Sequence, residues 1–208
     1  EAGAVAEERA AVMRSPISWA IVGFFGLQSL GFYALLGWLP TLLIARGESP
    51  ESAGGFLGLA TAVGIPAGLI LSTVISKFKS LAWWAAGASL LPAIGFTLMS
   101  FDLANPGTDL AARATFAGIL IGMGQASTFP LSLSLIGSRA STKTQTTLLS
   151  ALSQGWGYLV AGVGTLLVGI LADASGSFVL PFIMLAVLSF IQVVIGYLSG
   201  RPGHIPAA

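Results

Sequence analysis

The sequence predicts an all-α, polytopic membrane protein with six transmembrane helices. Three observations carry this reading. Only 8% of the 208 residues are charged and 55% are hydrophobic, with a mean hydropathy of +0.89. A soluble domain has about 25% charged residues with which to cover its surface. The apolar residues gather into six long runs, and roughly 20 apolar residues suffice to cross about 30 Å of hydrocarbon. Lysine and arginine alternate between the two ends of those runs.

In chain order, residues 1–14 are polar and Ala-rich, with Glu7, Glu8, Arg9 and Arg14, and read as a cytoplasmic linker or tail. A six-helix transmembrane bundle is expected over 15–201. Its first span, near 16–45, stops at Arg46-Gly47-Glu48-Ser49-Pro50, and its second, near 51–76, stops at Lys77-Phe78-Lys79. The third, 81–101, ends at Asp102 and the turn Asn105-Pro106-Gly107. The fourth, 109–137, meets Gly137-Ser138-Arg139, the fifth, 144–172, meets Asp173-Ala174-Ser175-Gly176, and the sixth, 177–199, meets Gly200-Arg201-Pro202. Each break combines Gly, Pro, Asn or Ser with charge, as helix ends do. Residues 202–208 read as a cytoplasmic tail.

Arg9, Arg14, Lys77, Lys79, Arg139, Lys143 and Arg201 fall on one side of the bundle, leaving Arg46 and Arg113 on the other. Positive charge stays inside, so both termini are expected in the cytoplasm. The chain also reads as an internal repeat. Gln28, Phe32 and Arg46 recur as Gln125, Phe129 and Lys143 at a common offset of 97. Spans one to three would then match spans four to six, inverted in the membrane because each repeat has an odd number of spans.

Composition narrows the chemistry. There is no cysteine, which excludes disulfides and thiolate metal sites, and the net charge of +1 gives no case for nucleic acid. No Asp, Glu, His or Lys lies inside a span; Asp102, Asp109 and Asp173 sit at span ends and His204 in the tail. A buried ion-coupling carboxylate is therefore not expected. A hydrolase needs a base beside its nucleophile and a zinc site needs several ligands, so no enzyme, metal or cofactor is expected.

Neutral polarity remains. Gln28 and Phe32 share a helix face, as do Ser29 and Tyr33. Gln125, Phe129 and Ser132 share a face of the fourth span, beside Gly122, Ser127 and Thr128; Ser150, Gln154 and Tyr158 repeat every four residues in the fifth. Amides, hydroxyls and aromatic walls suit a small polar or weakly anionic solute. The competing reading is hydrogen-bonded glue between helices, and Gln192 is assigned to packing on that ground. The pairs Gly54/Gly58, Gly64/Gly68 and Gly118/Gly122 fit close helix packing. Pro66, Pro92 and Pro130 interrupt spans, where they kink helices or serve mobile ones. Arg113 is read as snorkelling to the interface, with an anion-attracting charge at a cavity mouth as the sharper option.

These residues carry a resemblance. Gly47-Glu48-Ser49-Pro50 and Ser76-Lys77-Phe78-Lys79-Ser80 resemble loops in the C-terminal six-helix half of a major facilitator superfamily transporter. More specific are Gln28-Ser29-x-x-Phe32-Tyr33 with Trp38-Leu39-Pro40, Gly64-Ile65-Pro66, Gly124-Gln125 with Phe129-Pro130-Leu131, and Leu149-Ser150 with Gln154, Gly157 and Tyr158. In order and spacing they are similar to the cyanate/nitroimidazole (CynX/NimT) branch of bacterial facilitators, over about residues 15–200. The resemblance implies half of a major-facilitator fold, made of two inverted three-helix repeats and multi-pass in the bacterial inner membrane. It implies that spans one, two, four and five line a central cavity and that three and six face lipid. It also implies an N-terminal six-helix half as partner.

The expected function is secondary transport, by alternating access, of a small polar or anionic solute such as cyanate-like anions or nitroimidazoles. Gln28, Tyr33, Gln125, Gln154 and Tyr158 are the expected solute contacts; Phe32, Trp38, Phe129 and Pro66 are the expected walls or gates. The alternatives are a six-helix scaffold or oligomerisation module without transport of its own, and a channel. The expected partners are the solute, the lipid bilayer and that second half.

Overall fold

A computed structural model describes residues 2–105 and 110–207. The turn at Pro106 and Gly107, and Asp109, lie outside the described residues. All regular structure among those described is helical: α1 (Ala2–Arg14), α2 (Pro16–Ala45), α3 (Pro50–Ile75), α4 (Ala82–Ala104), α5 (Leu110–Arg139), α6 (Lys143–Ser175) and α7 (Val179–Gly200). Six of these, α2 to α7, are long and apolar enough to cross a membrane. The fold class is the expected one. Residues read as a linker or tail form the short helix α1, which packs on α6 and α2 and buries Val12.

Local chemistry sets the helix ends. Pro occupies the first turn of α2 and α3, where its missing N–H is harmless. Ser49 accepts a hydrogen bond from the Ser52 N–H at 3.2 Å. Thr142 accepts from the Gln145 N–H at 3.1 Å, while the Gln145 side chain accepts from the Ser141 N–H at 2.9 Å, close to a reciprocal capping box. Gly176 closes α6 in the left-handed conformation at φ 65°.

Packing follows the inverted repeat. α3 lies along α5 as α6 lies along α2; α4 lies on α5 as α7 lies on α2; α4 and α7 pack on each other. Within hydrocarbon, close approach of small residues replaces the hydrophobic drive of water. On the α3–α5 seam a β-carbon at Gly64 would meet the Gly122 carbonyl at 2.6 Å, and one at Gly68 the Ala126 carbonyl at 2.5 Å. A β-carbon at Gly122 would overlap the Ala60 carbonyl. On the α2–α6 seam the same overlap sets Gly157 against Phe25 and Gly164 against Leu30. Of the expected packing pairs, Gly64/Gly68 and Gly118/Gly122 lie on the α3–α5 seam, whereas β-carbons at Gly54 and Gly58 would meet nothing. Gln192 donates to the Ser89 hydroxyl at 3.2 Å, joining α7 to α4 as packing.

Arginines cap the rear pair of helices. At the end of the bundle away from the termini, Arg46 Nη2 donates to the Leu103 carbonyl at 2.8 Å, and Arg113 pairs with the buried Asp102 at 3.1 Å. Arg113 is thus half exposed and paired with a carboxylate. At the terminal end, Arg139 Nη2 donates to the Gly200 carbonyl at 2.9 Å. The C-terminal residues fold back over this end. The Ile205 N–H donates to the Arg139 carbonyl at 2.8 Å, Gln145 donates to the Pro206 carbonyl at 2.7 Å, and Ile205 is fully buried.

The two classes of glycine should separate in stability. Gly122→Leu forces the α3 and α5 backbones apart and should cost about 3 kcal/mol or more. Gly54→Ala should stay within about 0.5 kcal/mol of the parent. Thermal unfolding of the purified protein in detergent measures both, and equal shifts would remove the α3–α5 seam as the organising contact.

Candidate functional site

Near mid-depth, α2, α5 and α6 enclose a cavity of about 310 Å³. From α2 come Gln28, Ser29, Phe32 and Tyr33; from α5, Gln125, Ala126 and Phe129; from α6, Tyr158. The α2 residues reach one cavity because spacings of three and four return to one face. The α3–α5 seam sets the rotation of α5, since Ala126 packs on Gly64 and Gly68 and its neighbour Gln125 turns toward the cavity.

The floor and the mouth differ. Gln28 and Gln125 are 2% and 3% exposed, whereas Tyr33, Phe129 and Tyr158 are each near half exposed. Phe25 is fully buried beneath the rings, with its centroid 5.6 Å from Tyr158 and 6.3 Å from Phe129. Tyr33 meets Tyr158 at 6.4 Å and Phe32 at 5.6 Å, both edge to face. No charged side chain among the described residues lines the cavity.

Hydrogen bonding singles out one group. The hydroxyls of Ser127 and Ser132 donate to the carbonyls four residues back at 2.7 and 2.8 Å, and Thr128 donates to the Gln125 carbonyl at 3.2 Å. Their own helix thus satisfies them. Gln28 donates to the Ser29 hydroxyl at 2.8 Å. Gln125 is different: both its Nε2 and Oε1 are buried and without a partner. An unsatisfied buried polar group costs about 1–3 kcal/mol. The amide also borders a second cavity of about 260 Å³ toward Thr61 and Ile65 of α3. Its Nε2 occupies the space a β-carbon would take at Gly31, so Gly31 admits the amide to the floor.

Of the expected site residues, the fold brings together Gln28, Tyr33, Gln125, Tyr158, Phe32 and Phe129. Gln154 lies one turn along α6 from Tyr158 and donates to the Ser150 hydroxyl at 2.8 Å, outside the lining. Trp38 lies toward the far end, donates to the Thr165 carbonyl at 2.9 Å and packs on Gly169. Pro66 faces outward on α3 and lines neither cavity. Gly31 and Phe25 are not among the expected site residues. Gly31 has a detectable signal: an in-helix glycine costs about 1 kcal/mol against alanine, so it calls for a packing reason.

The model of the Major Facilitator Superfamily matches residues 2–165. A 2-nitroimidazole transporter of Escherichia coli (strain K12) is 34% identical over 194 residues, which are 93% of this chain and 47% of that protein. The uncharacterized transporter YycB of Bacillus subtilis (strain 168) is 30% identical over 95% of this chain and 48% of its own length. The cyanate transport protein CynX of Escherichia coli (strain K12) is 26% identical over 82% of this chain and 42% of its own length. The chain spans about half the length of these relatives.

A double-mutant cycle tests the Gly31–Gln125 contact. Gly31→Ala should lower stability in the presence of Gln125 by about 1–3 kcal/mol. In a Gln125→Ala background the same change should be nearly neutral. Additive effects, read by thermal unfolding in detergent, would show that the two residues do not touch.

Proposed function

Because the chain belongs to the major facilitator superfamily, we propose that it forms one half of a secondary transporter for a small polar solute, bound in the α2–α5–α6 cavity and carried by alternating access. The observation that carries this reading is the Gln125 amide, buried at mid-depth with neither donor nor acceptor satisfied. A solute offering both an acceptor and a donor recovers that cost on binding. The aromatic walls of Phe32, Tyr33, Phe129 and Tyr158 accept a flat, partly apolar solute. The cavity volume of about 310 Å³ fits a small molecule.

The solute class follows from the same lining. A nitroimidazole is flat, neutral and carries both acceptors and a ring N–H, which match the amide and the tyrosine hydroxyls. A cyanate-like anion would use the same donors but would need a cation from outside these residues. That cation, like the opposite wall of the cavity, is assigned to a second six-helix half. Supporting that half, α3 and α6 leave Gly54, Gly58, Gly155 and Gly162 open, with nothing of this chain where a β-carbon would be. Small residues at such spacings admit a neighbouring helix closely. Gln154, a turn from Tyr158, is assigned to the path toward the terminal end.

Uptake and binding test the reading. In cells producing the full-length protein, Gln125→Ala should lower uptake of 2-nitroimidazole at least about tenfold, as loss of one buried hydrogen-bonded contact does, with Gln28→Ala close behind and Gln154→Ala weaker. Normal uptake by both Gln28→Ala and Gln125→Ala, at equal expression, would sink the site assignment. Orientation is separately readable. This half has no cysteine, so a single Ser141→Cys should react with an impermeant thiol reagent only from the cytoplasmic side, and Ser175→Cys only from outside. The opposite pattern would invert the proposed topology.

A further inference from the structure

A further cavity, distinct from the central one and from the one toward Thr61 and Ile65, lies between the terminal halves of α3 and α4. It is a groove of about 510 Å³ walled by Ile70 and Val74 of α3 and by Trp84, Gly87 and Leu91 of α4. Its floor is apolar even at Ser127 of α5, whose hydroxyl is spent on the Met123 carbonyl at 2.7 Å. Its rim residue Trp83 is 76% exposed and stands edge-on to Tyr197 of α7 at 4.9 Å. Paired Trp and Tyr side chains mark the level of lipid headgroups.

The charge at its terminal end has one sign. Lys77 and Lys79 follow α3 directly, with the Lys77 N–H donating to the carbonyl of Val74, a groove residue, at 3.1 Å. Between them the Phe78 ring packs on Trp84 at 5.2 Å, which folds the loop over the groove and leaves both lysines exposed beside it. The carboxylates of α3 and α4 are Glu51 and Asp102, both at the opposite end of the bundle. Glu7 and Glu8 belong to α1, which packs on α6 and α2. Neither lysine has an ion pair among the described residues.

We propose that this groove binds an anionic phospholipid, with one acyl chain lying between α3 and α4 and the headgroup phosphate held by Lys77 and Lys79. An apolar slot alone would take any lipid tail. The unopposed lysines at its end select a negatively charged headgroup. Gly87 keeps the slot open, because a β-carbon there would meet nothing within 4 Å. The assignment stands apart from the central cavity and does not rest on the transported solute.

Native mass spectrometry of the purified full-length protein, with added phosphatidylglycerol or phosphatidylcholine, tests it. The parent should retain phosphatidylglycerol in preference to phosphatidylcholine. A Lys77→Gln/Lys79→Gln variant should lower that preference roughly thirtyfold, the effect of removing two charges at a membrane surface. Gly87→Leu projects a side chain into the slot, where its β-carbon meets nothing, and should reduce retention while the lipid-free protein stays folded, as its melting curve checks. Equal retention of the two lipids by the parent would overturn the proposal. So would a parent-like preference in the lysine variant, or parent-like retention in Gly87→Leu.

Discussion

The close contact of α3 with α5 is the constraint on which the site depends. Lipid tails are as apolar as leucine, so burial alone gives two transmembrane helices no reason to associate. Contact between backbones does, and it needs residues without bulk. Gly64, Gly68 and Gly122 supply that against Ala60 and Ala126. Once this seam is closed, α5 cannot rotate, and Gln125 has nowhere to point but the cavity floor. The α2–α6 seam, with Gly157 against Phe25 and Gly164 against Leu30, does the same for Gln28 and Tyr158. The cavity is the space between two seams that cannot slide.

The rear of the bundle is fixed differently. α4 and α7 pack on each other, and the carbonyls at their C-termini would be orphaned near the membrane surface. An arginine from the end of the first helix of each repeat satisfies them: Arg46 for α4 and Arg139 for α7, at opposite ends. Guanidinium suits this role because it stays charged and offers several donors in a planar fork. The two ends are not equivalent. The terminal end adds the folded-back residues around Ile205 and helix α1, whereas the far end adds the Arg113–Asp102 pair. Inverted repeats therefore meet two different surroundings, and the sequence differs where they do.

Much of this was legible in the sequence, and the exceptions have physical reasons. Span positions follow from length and hydropathy, which in hydrocarbon are nearly sufficient, because an unpaired backbone leaves only the helix. Gln28, Phe32 and Tyr33, and Gln125 and Phe129, fall together because short spacings on one helix survive folding. Gln154 does not join them, since the relative shift of α6 along α2 depends on contacts far apart in sequence, and Trp38 sits about 15 Å further along α2 than Gln28 by the helix rise. The Gly54/Gly58 spacing reads the same as Gly64/Gly68 but finds no helix of this chain to meet. Spacing records that a close partner fits, not which one. The folded-back tail was invisible because it depends on a single isoleucine and on acceptors that any backbone carries.

The electrostatics of the cavity limit what these residues could contribute to the proposed transport. Its floor is two amides and its walls are aromatic, with no carboxylate, histidine or lysine among the described residues of the lining, so the proposed site would hold a solute by neutral hydrogen bonds and ring contacts. Ion coupling needs a group whose charge changes at depth, and such groups are costly enough in hydrocarbon to be placed only where they are used. In the proposed role Gln125 would serve a neutral solute better than a carboxylate: it offers a donor and an acceptor together, and it remains unpaired at a cost of about 1–3 kcal/mol rather than the far larger cost of a buried charge. A modest penalty in the empty cavity is an advantage to a carrier. On the proposed reading, solute binding would relieve that penalty without becoming so tight that release fails, and the driving force would come from charges outside these residues.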